Sequence, residues 1–512
     1  VAVSKQSMHV LVADDWHFHE RGFSSLLRYL KHGDKLLTHH KASKKWLSAH
    51  GNYLWRQQQL KPYLEKLKQL QDVELQVFHY HGVEVYDCCW SELMSLLLTY
   101  ESWQSRSLPP SRSELFQQII DLERETLLFN MAAAMEWIDY WRTLLKRKPD
   151  LTHVIVFSGS YIYTKTLLRL AKISRIRSFV VEHFMTGNEF YLEERDTPIA
   201  NNSQLRINEK IQRLPDWTSE LERAEYLSLA WKVLKSKNNK NVKVGTSSFV
   251  DLERTDRKEI LLVTQVMNDF SLIETGETGI ASWPVYKDII NRILKQTDYM
   301  LRIKTHPWER RRTNVKSPKT KCELERYISS FPDELQKRVL IYEDEPLECL
   351  MSNADWVILL SSQAGIDAAA LGLKPIVLGS PFYGRRGFTY DLTDPAELLP
   401  LLKKGSASGQ LSLEEFRSFE DFLIEAFCFQ LFPIRNTGSD CFDEVFYRSK
   451  NSKELYLPML RTAHLERSSP LRRRAGKLAS HLKVYRGKTL REIKWELVYR
   501  MRRKKGGAIN KN

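Results

Sequence analysis

The stretch "ADWVILLSSQAGIDAAALGLKPIVLGSPFYGRRGFTYDL" sets two serines, Ser361 and Ser362, behind an apolar run and follows them with Gly365 and Asp367. Hydroxyls, free backbone amides and a helix dipole at one point are the chemistry of phosphate binding, and Gly365 permits close backbone approach. Asp367 has a different use, because a carboxylate accepts well from the two neighbouring hydroxyls of a ribose. A nucleotide meets both demands. An ordinary helix start explains the same residues, with Ser361 as the cap and Asp367 stabilising the first turn. A second cluster lies in "MLRIKTHPWERR", where an apolar run ends at Lys304 and Thr305, His306, Pro307 and Glu309 follow. A lysine and a histidine there suit a diphosphate or phosphodiester leaving group, and Pro307 restricts the backbone behind the ring.

These clusters need strands that end at them. The runs 8–13, 74–79, 153–157 and 178–182 read as short apolar strands, separated by helical stretches such as 114–146. After the polar, lysine-rich segment 235–248 the pattern restarts with runs at 259–264, 299–304, 338–342, 355–360 and 375–379. Alternating strands and helices predict α/β architecture: two doubly wound, Rossmann-type halves facing a cleft, with ligands at the carboxyl ends of the strands. The expected organisation is an acceptor and catalytic half over 1–245, a nucleotide-donor half over 246–400, a helical return over 401–460 and a basic tail over 461–512.

Composition narrows the classes of function. The chain has 512 residues, 42% hydrophobic and 28% charged, and a net charge of +15. From Arg461 onward there are 17 Lys and Arg against three Glu, a balance of +14, so the first 460 residues are close to neutral. A near-neutral body without a zinc-finger or RNP-type motif excludes nucleic acid as the expected partner. The six cysteines show no metal-ligand spacing and read as buried thiols. No paired acidic cluster presents itself for a magnesium ion, so no metal and no cofactor beyond a co-substrate is expected. Apolar stretches are cut by Asp, Lys or Pro before they could cross a bilayer, and the expected location is cytoplasmic.

The runs "KTHP" and "SSQAGIDAAALGLKPIVLGSPFYGRRGFTYD", in that order, resemble the capsule polysaccharide biosynthesis/export family of Kdo-type glycosyltransferases. Upstream, "FVVEHFMTGNEFYLEERDTPIANNS" and "LLVTQVMNDFSLI" resemble stretches of the same family, the likeness covering roughly residues 150–395. The resemblance implies a GT-B fold, a CMP-activated sugar such as Kdo or a related acidic sugar as donor, and a lipid-linked or growing surface-polysaccharide acceptor. Position at neighbouring strand ends and the chemistry of the leaving group place Lys304, His306, Pro307, Ser361, Ser362 and Gly365 at the donor phosphate, Asp367 or Glu343 at the ribose, and Gln265 and Asp269 near the donor sugar. Arg385 and Arg386 fall inside the same segment, where an arginine can grip a sugar carboxylate, although a solvated surface pair explains them equally.

Where relatives carry an acidic pair followed by glycine, this chain has Glu182, His183 and Phe184. A covalent intermediate on a carboxylate at the second position is therefore not expected. The acceptor hydroxyl still needs a base, and Glu182, His183, Asp269 and Glu189 are the candidates. His183 has a second reading as a packed core histidine, and Asp269 one as a helix cap. Two other functions fit the same motifs: a phosphotransferase moving a polyol phosphate from a CDP carrier, and a non-catalytic scaffold of envelope-polysaccharide assembly. The aromatic and histidine-rich "DDWHFHERGF" at 14–23 either shapes an acceptor site or packs against the first sheet.

The tail rests on physics alone. In "LREIKWELVYRMRRKK", Leu490, Ile493, Leu497 and Met501 line one helical face, with Trp495 and Tyr499 beside it and cations over much of the rest. Each basic residue near an anionic leaflet contributes about 1 kcal/mol, which favours peripheral binding on the inner face of the inner membrane. A helix docked on the protein with its basic face in water is the alternative. Deleting residues from Ser468 onward is expected to abolish co-sedimentation with anionic liposomes at moderate salt while nucleotide binding persists. Equal sedimentation of both forms would remove the membrane role.

Overall fold

Apolar runs with little polar alternation suit strands covered on both faces, and here they build two six-stranded sheets. In the computed structural model the described residues are 8–13, 17–32, 35–39, 50–104, 106–206, 219–237, 256–307, 309, 318–404, 409–435, 437 and 439–447. The strands in chain order are β1 (Met8–Val12), β2 (Lys35–His39), the small hairpin β3 (His79–Tyr80) and β4 (Val83–Glu84), β5 (His153–Phe157), β6 (Arg177–His183) and β7 (Glu189–Glu194). They continue with β8 (Glu259–Val263), β9 (Met300–Lys304), β10 (Val339–Tyr342), β11 (Trp356–Leu359), β12 (Ile376–Val377), β13 (Tyr390–Asp391) and β14 (Phe432–Pro433).

The second sheet has the order β10-β9-β8-β11-β12-β13, parallel throughout. Its order reverses between β8 and β11, so the crevice of a doubly wound fold opens at the carboxyl ends of those two strands. The first sheet runs β14-β7-β6-β5-β1-β2. Its strands β2, β1, β5 and β6 are parallel, and its reversal point lies between β1 and β5. Strand β7 is antiparallel to β6, and β14 is antiparallel to β7. The chain thus returns to the first sheet after completing the second. Both sheets belong to one compact unit, as the expected α/β architecture requires.

Helices cover both faces. Arg112–Arg147, bent at Glu123, packs one face of the first sheet with Ile162–Ile173, burying Leu127, Met131, Trp141 and Leu167. The helix Glu20–Lys31 covers the other face with Ser439–Tyr447, through Phe23, Leu26, Phe442 and Phe446. Ser282–Gln296 buries Tyr286, Ile289, Ile290 and Ile293 against the second sheet.

Three differences from the sequence pattern have local causes. Residues 74–79 do not form a strand: Asp72–Gln76 is a short helix, because Glu74 reaches back to the Gln71 N–H at 2.7 Å in a capping box. Strands β2, β4, β7, β13 and β14 lie outside the expected set, since "KLLTH" and "EFYLEE" carry charges and the two-residue β4, β13 and β14 are too short to register as apolar runs. The segment 235–248 is described only to residue 237, where Glu220–Lys235 has just ended, and its remainder lies outside the described residues together with 14–16 and the basic tail. Among the described residues, no helix is long and apolar enough to cross a membrane.

One buried ion pair ties the amino ends of β8 and β9. Arg302, 1% exposed, donates through Nε to Glu259 at 2.6 Å and through Nη2 at 2.8 Å. Removing one partner strands a buried charge, so Glu259→Gln is expected to cost about 3 kcal/mol. The measurement is the urea midpoint of the variant against wild type.

Candidate functional site

The carboxyl ends of β6 and β8 bring two carboxylates toward one another. Glu182 is the penultimate residue of β6, and the backbone N–H of His183 donates to it at 2.9 Å. Burial pushes its pKa up to about 8 against the opposing pull of hydrogen bonds from His183 and Ser158, and the nearby Asp269 carboxylate adds to the rise. Asp269 belongs to the loop after β8 and caps the short helix Phe270–Ile273, accepting from the Ser271 N–H at 2.9 Å. The cap reading of Asp269 and its place beside Glu182 therefore hold together.

His183 follows a different course. Its ring stacks on Phe23 at 4.7 Å and approaches Phe157 at 5.5 Å. The Gly22 backbone passes so close that a Cβ there would collide with the imidazole. This is a ring packed among rings, with the carboxylate of Glu182 as the ionisable neighbour. Glu189 is buried and accepts from the Thr186 hydroxyl, so it stabilises the β6–β7 turn.

On the second sheet, the donor-side residues gather at one edge but use their side chains unevenly. His306 is exposed at the tip of β9 beside half-buried Pro307. Lys304 is buried, and its ammonium donates to the carbonyls of Glu343 and Thr305, while desolvation lowers its pKa. Glu343 pairs with Lys321 at 3.2 Å. Glu309, 2% exposed, holds the start of Lys319–Ile328 through the Thr320 N–H at 3.0 Å and hydroxyl at 2.8 Å. Gln265 is a bridge: its Oε1 accepts from the Ser361 N–H at 2.7 Å and its Nε2 donates to Ser271 at 3.1 Å.

The serine pair also divides. Ser361 is 2% exposed with its hydroxyl turned toward Gly379, where an added Cβ would run into Oγ. Ser361 is not the cap of Ala364–Ala370: Gln363 holds that position, and the Ser362 hydroxyl, one residue before it, accepts from the Ala364 N–H at 3.2 Å. Gly365 is small for a protein neighbour: a Cβ would collide with the Tyr383 hydroxyl, and that oxygen bonds the Ser362 carbonyl and the Gly365 N–H. Asp367 forms an ion pair with Lys237, whose pKa burial lowers to about 8. Arg385 is exposed in a left-handed turn, φ 59°, held by its N–H on Asp391 at 2.9 Å. Arg386 pairs with Glu425 at 2.7 Å and donates to the Leu205 carbonyl, so it fastens the return segment.

Two participants escape a reading by sequence pattern. Ser158, buried and left-handed at φ 61°, turns the chain at the end of β5 and hydrogen-bonds Glu182. The signal in the sequence is "FSGS", a turn sequence directly after an apolar strand. Gln363 spans the cleft, its Oε1 accepting from the Met185 N–H at 3.1 Å. Among the described residues no group of three or more His, Cys, Asp or Glu is placed to hold a metal ion.

Residues 185–406 match a family model described as capsule polysaccharide biosynthesis protein. No curated protein matches the chain. Among solved structures, the Thermosulfurimonas dismutans KpsC β-Kdo 2,7 transferase is similar over 58% of this chain and 82% of its own, at 16% identity and a TM-score of 0.35. The β-Kdo 2,4 transferase of the same KpsC is similar over 56% and 82%, at 17% identity and 0.35. The S. aureus MnaA–UDP structure is similar over 57% and 76%, at 12% identity and 0.28.

The raised pKa of Glu182 carries a stability signature. Between its ordinary value of 4.5 and about 8 the folded protein retains a proton that the unfolded chain has lost, so stability falls as pH rises through that window. Glu182→Gln removes this dependence. The melting temperature of the variant is expected to match wild type near pH 4.5 and to exceed it increasingly toward pH 8. Parallel curves over the whole range would show that Glu182 ionises normally.

Proposed function

We propose that this chain, whose residues 185–406 match the capsule polysaccharide biosynthesis family, is a glycosyltransferase that moves a sugar from a CMP-activated donor to a glycan acceptor. The observation that carries the proposal is that Glu182, at the carboxyl end of β6, has its pKa raised by burial with a further contribution from the Asp269 carboxylate on the loop after β8. An acceptor on the first sheet and a donor on the second would present their reacting atoms to that point.

In this reading the acceptor hydroxyl gives its proton to the Glu182 carboxylate as its oxygen bonds to the anomeric carbon. The bond from that carbon to the donor phosphate breaks, and CMP leaves with the electron pair. A base whose pKa lies near 8 is well matched to a hydroxyl activated near neutral pH. The leaving phosphate needs charge stabilisation rather than a proton, and exposed His306 with the amides at the Ser362–Gln363 turn would supply it. Asp367 serves the ribose once it exchanges Lys237 for the sugar hydroxyls, and Lys237 is then available to the phosphate. The acidic sugar, Kdo or a relative, the lipid-linked nature of the acceptor and peripheral binding at the inner membrane belong to the same proposal, on the motif resemblance and the basic tail.

The test pairs binding with turnover. Wild type is incubated with labelled CMP-sugars and a capsule-type lipid-linked acceptor, and CMP affinity is measured by calorimetry. Glu182→Gln is expected to lower turnover about a hundredfold with CMP affinity unchanged, the scale of general-base loss. The wild-type rate should climb with pH to a plateau above about 8, and that climb should vanish in the variant. His306→Ala should weaken CMP binding. Transfer of a polyol phosphate from a CDP carrier, or no transfer at all, would replace this reading.

A further inference from the structure

The first sheet reverses its strand order between β1 and β5, and four rings gather at the carboxyl ends of those strands. His17 follows β1 and lies flat on Phe157, the last residue of β5, at 4.6 Å and 4°. Its other stacked neighbour is Tyr161 at 5.5 Å, and its Nδ1 lies 3.2 Å from the Tyr163 hydroxyl. Tyr161 meets Phe270 edge to face at 5.1 Å, so the row crosses from the first sheet to the loop of the second. Both ends of the row adjoin the carboxylates in sequence: Phe157 precedes Ser158, which bonds Glu182, and Phe270 follows Asp269.

The exposure of these rings is what calls for a ligand. Phe179 and Phe190 in the same sheet and Phe23 on the helix that covers it are buried completely, whereas His17, Phe157, Tyr161 and Phe270 are all half-buried. Partly wet aromatic rings beside a reversal point form the kind of wall that small-molecule sites use, apolar surfaces with a few polar atoms at the rim. A sugar ring fits beside such a row, with C–H groups for the half-buried surface of Phe157, Tyr161 and Phe270 and hydroxyls for the phenol and for the edge of His17, whose faces are taken by Phe157 and Tyr161. The stacking of His17 between two neighbours fixes the wall before a ligand arrives, which reduces the entropy lost on binding.

We propose that His17, Phe157, Tyr161 and Phe270 form the subsite for the terminal sugar ring of the glycan acceptor. The assignment rests on the transfer reading for the word acceptor, and on the ring geometry for the sugar. It also accounts for the histidine- and aromatic-rich segment at 17–23, in which His17 supplies the wall, buried Phe18 packs on Phe23 at 4.9 Å, and His19 caps the following helix.

The test reads glycan binding without turnover. Saturation-transfer NMR on the full chain uses two disaccharides, one ending in Kdo and one in a neutral hexose, with CMP calorimetry in parallel as the control for folding. Wild type and Tyr161→Phe are expected to transfer saturation to the C–H protons of the terminal sugar of at least one disaccharide. Tyr161→Ala, and Phe270→Ala from the opposite side of the cleft, should weaken that disaccharide roughly tenfold, the equivalent of one lost ring contact. CMP affinity should stay at the wild-type value. Absence of saturation transfer from wild type to both disaccharides, or wild-type glycan affinity in both alanine variants, would overturn the assignment. So would a loss of CMP affinity alongside a preserved melting temperature, which would give the wall to the nucleotide. Sugar binding without any transfer from CMP-sugars would leave the subsite standing and remove the enzyme reading alone.

Discussion

A single side-chain amide, that of Gln265, holds the edges of the cleft in a fixed relation. Its oxygen takes the Ser361 N–H at the end of β11 and its nitrogen gives to Ser271 behind Asp269, while its own backbone N–H donates to the Tyr286 hydroxyl at 2.8 Å. Ser271 then passes the constraint to the first half of the chain, since its carbonyl accepts from Asn201 at 2.7 Å. Gln265 is 5% exposed, and both ends of its amide are satisfied. An amide buried with one end unpaired would lose free energy, so this network has a single low-energy arrangement. The loop after β8 thereby becomes a rigid spacer between the serine turn and the Asp269 carboxylate.

The same loop is anchored in the first half by charge. Lys165, 2% exposed, donates to Ser91 at 2.7 Å and pairs with Glu274 at 3.4 Å, and Ser91 donates to the same carboxylate at 2.5 Å. Asn268 donates to the Ser95 carbonyl at 3.1 Å, and Thr278 to the Pro109 carbonyl at 2.7 Å. A buried ion pair adds little net stability against an apolar substitute, because desolvation offsets most of the attraction. What it supplies is register. Lys165 lies near Asp87 as well, and its pairing with Glu274 fastens the end of the helix Phe270–Ile273 whose cap is Asp269.

These dependences explain which parts of the molecule are legible in sequence. The runs at 153–157, 259–264 and 299–304 stand out because a parallel strand covered on both faces is mostly apolar, and the charges that interrupt two of them, Glu259 and Arg302, are buried as a pair. The run at 74–79 looks similar, yet the capping interaction of Glu74 with Gln71 decides its conformation. Motif positions are legible for the same reason as the strands: Glu182, Gln265, His306 and Ser361 all sit at carboxyl ends or in the loops that leave them. Side-chain direction is not. A serine two residues past a strand can turn into the cleft or into the sheet, and Ser361 turns toward Gly379, whose missing side chain leaves room for its Oγ. Gly365 is a site of close approach, as its lack of a side chain implies, but the approaching atom is the hydroxyl of Tyr383, eighteen residues away in sequence and invisible to any local pattern.

The position of His183 shows how the first half accommodates the loss of an acid that the motif resemblance leads one to expect. An aspartate there would place a second carboxylate against Phe23, Phe157 and the Gly22 backbone, beside that of Glu182. An imidazole instead contributes a flat apolar surface and extends the aromatic packing. Glu182 points to the Ser158 turn, where two hydrogen bonds meet it but do not fully offset burial. The consequence is a division of labour along one strand end. Successive strand residues face opposite sides of the sheet, so position 183 joins the rings around Phe23 while position 182 faces the Ser158 turn, where desolvation and the nearby Asp269 carboxylate raise its proton affinity.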